Sequence, residues 1–164
     1  MDTAPKLRAL AALSVIALAI AACSSGTASP SPAAASPSAA GGTGTTVAVA
    51  LQEWSVLPAS DSVPTGSVTF QVTNTGPEDV HEFVVLKTDL DPGALPIDAN
   101  GAVTEAGEGM VVVDEIEDVA VGATAELTVA LAAGKYILLC NIYDETEKEA
   151  HYKMGMRTAF TVTE

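Results

Sequence analysis

The sequence predicts an all-β fold, a Greek-key β-sandwich of about seven strands, and three observations support this prediction. Apolar and polar residues alternate with period two in a series of short segments between residues 46 and 164. These segments are rich in β-branched residues and end at turn sequences such as Asn74-Thr75-Gly76-Pro77 and Ala133-Gly134. The region also has the usual size of a domain with a single core. We therefore expect one sandwich domain over residues 46–164.

Seven segments are strand candidates. In chain order they are residues 47–54, 67–73, 80–87, 110–113 with Ile116, 124–131, 135–142 and 157–163. The fourth is the least regular, because acidic residues interrupt it. The longest gap between candidates is residues 88–109, where Asp91-Pro92 is expected to start one short helical turn. Residues 98–101 in the same gap resemble a calcium loop but lack the EF-hand spacing, and Asn100-Gly101 is more simply a turn.

The N-terminus predicts an exported protein. Lys6 and Arg8 precede a short apolar run, as in a secretory signal over residues 1–22, and the run is too short to favour a permanent membrane span. The ending Ile20-Ala21-Ala22-Cys23 resembles the lipobox of bacterial lipoproteins. The resemblance implies cleavage before Cys23 and a diacylglycerol on its sulfur. The alternative is ordinary cleavage that leaves Cys23 as a free thiol.

Residues 23–45 predict a lipidated cysteine followed by a flexible tether. The segment after Cys23 is Ser, Thr, Pro, Ala and Gly, with no charge and no large apolar side chain. Such a segment cannot bury enough surface to offset its ordering entropy. If Cys23 carries lipid, Cys140 is the one remaining cysteine, so it cannot form an intrachain disulfide. An unpaired thiol in an oxidising compartment is expected to be buried or to hold a metal.

The charge excludes one class of partner. The chain has 21 acidic and 7 basic residues, and removal of residues 1–22 takes away Asp2, Lys6 and Arg8, which leaves a formal charge of −15. Because nucleic-acid affinity rests on clustered Lys and Arg, we expect no nucleic-acid partner. The charge is compatible with a basic protein partner or with an acidic surface that has no specific purpose.

The candidate site consists of His81, Cys140, His151 and Met156. A thiolate, imidazoles and a thioether favour copper over magnesium or calcium, which prefer oxygen ligands. The set matches the two histidines, one cysteine and weak axial methionine of a blue-copper site. Taken singly, His81 could be a structural histidine at the rim of an apolar layer, and Cys140 could be a small core hydrophobe.

The chain resembles a cupredoxin, the blue-copper family that includes plastocyanin and azurin. The residues that carry the resemblance are the turn 74–76, His81-Glu82-Phe83-Val84-Val85, the segment 136–140, and residues 151–156 leading into Phe160-Thr161-Val162. The resemblance implies one copper ion held by imidazole nitrogens of His81 and His151, a short bond to Cys140 and a long axial bond to Met156. Met154 competes for the axial position, but Met156 has the plastocyanin spacing from His151.

The chain departs from the family pattern in the loop between cysteine and second histidine. Ten residues, 141–150, separate Cys140 from His151, and most of the excess over the family's shorter loop is charged. A longer loop costs only modest extra closure entropy, so ligation remains compatible with it. The insertion could be a solvated surface excursion, or it could dock a partner or capture metal.

Together these features predict a membrane-anchored copper protein that transfers single electrons between redox proteins outside the cytoplasm, either in a periplasm or on the cell surface. No general acid and base or activated nucleophile is evident, so the chain is not expected to be an enzyme. One alternative is a copper carrier or sequestering lipoprotein that uses the same residues without electron transfer. Another is a metal-free sandwich that serves adhesion or assembly.

Overall fold

The computed structural model describes residues 44–164. The predicted signal, the predicted lipidation site Cys23 and all but the last two residues of the predicted tether lie outside the described residues. Eleven strands and one short helix occur over residues 44–164. They are β1 (Thr45–Gln52), β2 (Ser55–Pro58), β3 (Ser62–Pro64), β4 (Gly66–Asn74), β5 (His81–Thr88), β6 (Met110–Val119), β7 (Thr124–Leu131), β8 (Gly134–Leu139), β9 (Tyr143–Asp144), β10 (Glu149–Ala150), α1 (His151–Met154) and β11 (Arg157–Thr163). Among these residues, no helix has the length and apolar character needed to cross a membrane.

The strands form two facing sheets, which confirms the predicted β-sandwich. The first sheet has the strand order β2-β1-β4-β7 and the second has the order β3-β11-β8-β5-β6. Pairing is antiparallel except between β1 and β4 and between β3 and β11. Strands β9 and β10 form a separate two-stranded hairpin. The seven predicted strands are all present, and the four additional ones are short segments of two to four residues.

The main core lies between the two sheets. The inward-facing residues of β4 are Val68, Phe70 and Val72, and none of them is exposed to solvent. The ring of Phe70 lies 5.3 Å from that of Phe83 on β5 and 5.5 Å from that of Phe160 on β11. Strand alternation along β4 therefore produces one buried face and one largely exposed face, as expected for a sheet with one solvated side.

A second, smaller core covers the outer face of the second sheet. Val84 and Leu86 of β5 and Ile137 and Leu139 of β8 point away from the main core and are still buried. The covering residues come from the segment 89–109, with Leu95 and Val103, and from Tyr152 of α1. Strands β5 and β8 are thus buried on both faces, which explains their nearly continuous apolar sequences.

The segment 89–109 contains no helix, so the helical turn predicted at Asp91-Pro92 is wrong. The Asp91 carboxylate accepts a hydrogen bond from the N–H of Gly93, and the Asp91 carbonyl accepts one from Ala94. These bonds close a turn locally instead of starting a helix. Asp98 similarly accepts N–H groups of residues 100, 101 and 102 with one carboxylate oxygen, which is the geometry of a turn.

Candidate metal centre

The order of the strands brings the four predicted ligands to one end of the second sheet. His81 is the first residue of β5, and Cys140 directly follows the last residue of β8. Because β5 and β8 are antiparallel neighbours, the start of one lies beside the end of the other. Strand β11 is antiparallel to β8, so its start lies at the same end, immediately after α1 and Met156. The topology alone therefore collects residues that are 75 positions apart in sequence.

His81, Cys140 and His151 form a buried cluster. The Nδ1 atoms of the two imidazoles are 3.2 Å apart, and Nδ1 of His151 lies 3.4 Å from Sγ of Cys140. One ligand atom from each of the three residues lies within 4.8 Å of the others. His81 and Cys140 have no exposed surface, and His151 is 2 % exposed.

These distances fit a shared metal ion. Nitrogen and sulfur atoms bonded to one ion at about 2.0–2.3 Å lie roughly 3.3–3.7 Å from each other in trigonal or tetrahedral geometry. The two shortest separations in the cluster are close to that range. Two imidazoles and one thiol also form a donor set that suits copper or zinc and does not suit calcium or magnesium.

Burial keeps all three groups neutral in the absence of a metal. Burial raises the pKa of the Cys140 thiol to about 12, although hydrogen bonds from the backbone N–H groups of Glu82 and Ile142 lower it in part. The Glu82 N–H lies 3.2 Å from Sγ and would stabilise a thiolate once the proton leaves. Burial also lowers the pKa of His81 and of His151, because the charged imidazolium is poorly solvated there.

Met156 is buried and Met154 is not. Met156 has no exposed surface and belongs to the same core cluster as Cys140, whereas Met154 is 43 % exposed. The Met156 carbonyl accepts the Cys140 N–H at 3.0 Å, and the Met156 N–H donates to the His151 carbonyl at 3.0 Å. The backbone of Met156 is therefore tied to two of the clustered residues, and the choice of Met156 over Met154 as the axial ligand stays a prediction.

The acidic insertion forms an ordered hairpin. Strands β9 and β10 pair within residues 141–150, and the Asp144 carboxylate accepts the N–H groups of Thr146 and Glu147 at the tip. At the base, the His151 N–H donates to the Ile142 carbonyl at 2.9 Å. The hairpin carries the extra residues outward and returns the chain close to Cys140, so the longer loop does not separate the cysteine from the second histidine.

Two asparagines fix the segments that carry the ligands. The buried Asn74 amide donates to the carbonyls of Asp79 and Val119, and its oxygen accepts the Gly76 N–H, which holds the turn before His81. The side chain of Asn141 bonds both the N–H and the carbonyl of Val103, which ties the residue after Cys140 to segment 89–109. The sequence pattern indicates Asn74 as part of a turn but predicts no role for Asn141.

Sequence reasoning also missed Glu53 and Trp54, which form the turn between β1 and β2. The Glu53 carboxylate lies 3.6 Å from Nε2 of His81, and the indole of Trp54 packs edge-on against the ring of His151 at 5.0 Å between centroids. The predicted first strand extends to residue 54, so the turn at residues 53 and 54 was assigned to the strand. The one available signal was that Trp54 is the single tryptophan of the chain.

Comparison with solved structures identifies the fold. Reduced auracyanin from Roseiflexus castenholzii is similar over 73 % of this chain and 98 % of its own, with 23 % identity and a TM-score of 0.52. Rusticyanin from Thiobacillus ferrooxidans is similar over 75 % of this chain and 79 % of its own, with 17 % identity and a TM-score of 0.50. The chain has the cupredoxin fold. No protein-family model and no curated protein sequence matches the chain.

The cupredoxin fold confirms the architecture that the sequence resemblance implied. Within it, the first histidine begins a strand, the cysteine ends the neighbouring strand, and the second histidine and the methionine lie on the connection to the last strand. This arrangement places the four predicted ligands of the chain at one end of the sandwich.

Proposed function

We propose that this chain is a copper protein that transfers single electrons through a type 1 site. The observation that carries the proposal is the buried convergence of Nδ1 of His81, Nδ1 of His151 and Sγ of Cys140. The cupredoxin fold supports it, and one of the similar solved structures, rusticyanin, is itself described as a copper protein. His81, His151 and Cys140 would hold the ion, with Met156 as the weak axial ligand.

Bound copper supplies a one-electron couple between Cu(I) and Cu(II). The residues of the chain keep the donor atoms in one arrangement for both states. Strands β5 and β8 hold the backbones next to His81 and Cys140 through a shared ladder of hydrogen bonds. The backbone of Met156 is hydrogen-bonded to the backbones of Cys140 and His151. A set of ligands that does not rearrange between the two oxidation states keeps the reorganisation energy of electron transfer small. The burial of the cluster also excludes water from the donor atoms.

The buried donor atoms favour a carrier of electrons in this proposal. All three donor side chains are buried, so the proposal includes no open coordination position of the kind that activates a substrate. The partners would be redox proteins, and the charge of −15 over residues 23–164 favours partners with a basic docking surface.

The test of electron transfer is voltammetry of the protein loaded with one equivalent of copper. We expect a reversible one-electron wave and a visible absorption band from thiolate-to-copper charge transfer. Tight copper binding without a reversible wave would overturn the proposal and select the copper carrier instead. The exposed Met154, three residues after His151, is the feature that would serve such a carrier as an entry point for Cu(I).

We further propose that lipid on Cys23 anchors the domain to the outer side of the cytoplasmic membrane. The support is the Ile20-Ala21-Ala22-Cys23 sequence after a short apolar run, followed by a segment of small and polar residues long enough to act as a spacer. In fractionated cells we expect the wild-type protein in the membrane fraction. The Cys23→Ser variant is expected in the soluble fraction or uncleaved, and a wild-type protein that is entirely soluble would contradict the anchor.

A further inference from the structure

Glu53 lies against the far side of the His81 ring from the metal cluster. Nδ1 of His81 faces Nδ1 of His151 at 3.2 Å, so the other ring nitrogen, Nε2, points away from the cluster. Oε1 of Glu53 is 3.6 Å from that Nε2. The side chain of His81 is fully buried and that of Glu53 is 14 % exposed, so little solvent reaches the space between them.

The carboxylate of Glu53 is held in place by the turn before β5. Its Oε1 accepts the N–H of Asp79 at 2.8 Å and the N–H of Glu78 at 3.4 Å. Gly76 lies so close that a Cβ at that position would come 2.6 Å from Oε1, which is shorter than real Cβ contacts. The turn therefore packs closely around this carboxylate and binds it through backbone N–H groups.

Two buried atoms at this contact lack partners. Oε2 of Glu53 and Nε2 of His81 have no hydrogen-bond partner among the described residues. Buried polar atoms are nearly always paired, so two unpaired atoms on neighbouring side chains call for an explanation. One atom is an acceptor, and the other is a donor when the imidazole carries its proton on Nε2. The separation of 3.6 Å between Oε1 and Nε2 is longer than a hydrogen bond, so the two side chains would have to approach by a few tenths of an ångström to form one.

We propose that Glu53 is a positioning residue of the metal centre, whose carboxylate accepts the Nε2 proton of His81 and thereby leaves Nδ1 of His81 free to bind the metal. The proposal rests on the proposed copper site and adds a residue outside its ligand set. The partner of one imidazole nitrogen determines which nitrogen carries the proton, and a carboxylate partner makes the ligating nitrogen more basic.

A negative charge at this position favours the more highly charged ion. The carboxylate interacts with Cu(II) more strongly than with Cu(I) through the imidazole ring, so it lowers the reduction potential of the site. Another acidic residue of the same turn separates this effect from the general loss of one negative charge. The backbone N–H of Glu78 donates to Glu53, and the side chain of Glu78 is exposed.

The first test compares Glu53→Gln, Glu53→Ala and the matched control Glu78→Gln. Glu53→Gln keeps a hydrogen-bond acceptor but removes the charge, and we expect its preference for Cu(II) over Cu(I) to fall about tenfold, which corresponds to a potential about 59 mV more positive. Glu53→Ala removes both, and we expect a loss of roughly 10- to 100-fold in Cu(II) affinity. Glu78→Gln should leave both quantities unchanged. Potentials that are equal in wild type, Glu53→Gln and Glu78→Gln would overturn the proposal.

A second test does not depend on copper. Nitrogen NMR of the metal-free protein above neutral pH reports which ring nitrogen of His81 carries the proton. We expect the proton on Nε2 in wild type and Glu53→Gln, and a mixture of both tautomers in Glu53→Ala. A wild-type protein with the proton on Nδ1 of His81 would overturn the role of Glu53. If copper fails to bind while the Nε2 tautomer is found, the proposed function fails and the positioning role stands.

Discussion

At the scale of single residues, the centre is built from groups whose ordinary chemistry is changed by burial. Cys140 is a thiol that cannot ionise near neutral pH without a metal, because burial raises its pKa to about 12. His81 and His151 stay uncharged because burial lowers the pKa of each. All three groups are therefore ready to bind a cation, and only the thiol must lose a proton.

Above neutral pH, copper binding is therefore expected to depend on pH through Cys140. Between pH 7 and 9 the metal-free protein carries a protonated thiol and neutral imidazoles, so Cu(II) binding should release about one proton and the apparent dissociation constant should fall about tenfold per pH unit. Below the lowered pKa values of the histidines the dependence should become steeper. Competition titrations with a copper chelator measure the slope.

The control for the pH dependence is Cys140→Ser, whose serine does not ionise in this range, so its weaker binding should show almost no slope. A wild-type affinity that does not change with pH would mean that the thiol is already ionised in the metal-free protein, contrary to its buried environment.

At the scale of elements, short connections decide how the ligands are held. The β1–β2 turn contacts both histidines, with Glu53 against His81 and Trp54 against His151. The same turn packs against Gly155, which lies between His151 and Met156, and a Cβ at Gly155 would meet the Trp54 carbonyl at 2.9 Å. Gly155 has a φ of 133°, which side chains rarely adopt, and it ends α1 directly before Met156.

Gly155→Ala is expected to lower both stability and copper affinity. The substitution combines backbone strain with a clash against a carbonyl that cannot rotate away, so we expect a loss of about 2–4 kcal/mol in the free energy of unfolding. Gly66→Ala is the matched control, since Gly66 has a φ of 140° and a Cβ added there would enter open space. Urea unfolding and copper titration of both variants measure the effects. Equal losses of copper affinity in the two variants would contradict the role of the Gly155 contact.

Strands with one solvated face could be predicted well from the sequence. The predicted bounds of Thr124–Leu131 and Arg157–Thr163 agree with the structure because apolar and polar residues alternate cleanly there. The predicted strands 47–54 and 135–142 extend past the true ends of β1 and β8, since apolar or aromatic residues still occur there, Trp54 after β1 and Cys140 and Ile142 after β8. Strands β2 and β3 were missed because three or four residues are too few to show a period.

The candidate ligands could be predicted because each is a rare residue type at an informative spacing, whereas their surroundings could not. His81 and His151 are the two histidines of the chain, and Cys140 is one of two cysteines. Glu53 is one of 21 acidic residues, and nothing in the sequence separates it from the others. Its position beside Nε2 of His81 depends on the pairing of β1 with β4, which is a tertiary contact.

At the scale of the whole molecule, the sandwich places a polar cluster at the end of an apolar core. Phe83, Tyr136 and Leu138 of the main core continue directly into the histidine and cysteine positions. The second core, formed with segment 89–109, covers the other face of the strands that carry His81 and Cys140. Because these strands are packed on both sides, the cluster can keep one geometry while a bound ion changes charge.

The central claim is that one copper ion binds to His81, His151 and Cys140, and the most direct measurement is the copper content and visible spectrum of the wild-type protein beside Cys140→Ser. We expect one copper per chain and an intense thiolate-to-copper band in wild type. The same band is expected in Cys23→Ser, which lacks the other cysteine, and no band is expected in Cys140→Ser. A wild-type protein that stays colourless after loading with Cu(II), or a band that survives in Cys140→Ser, would contradict the claim.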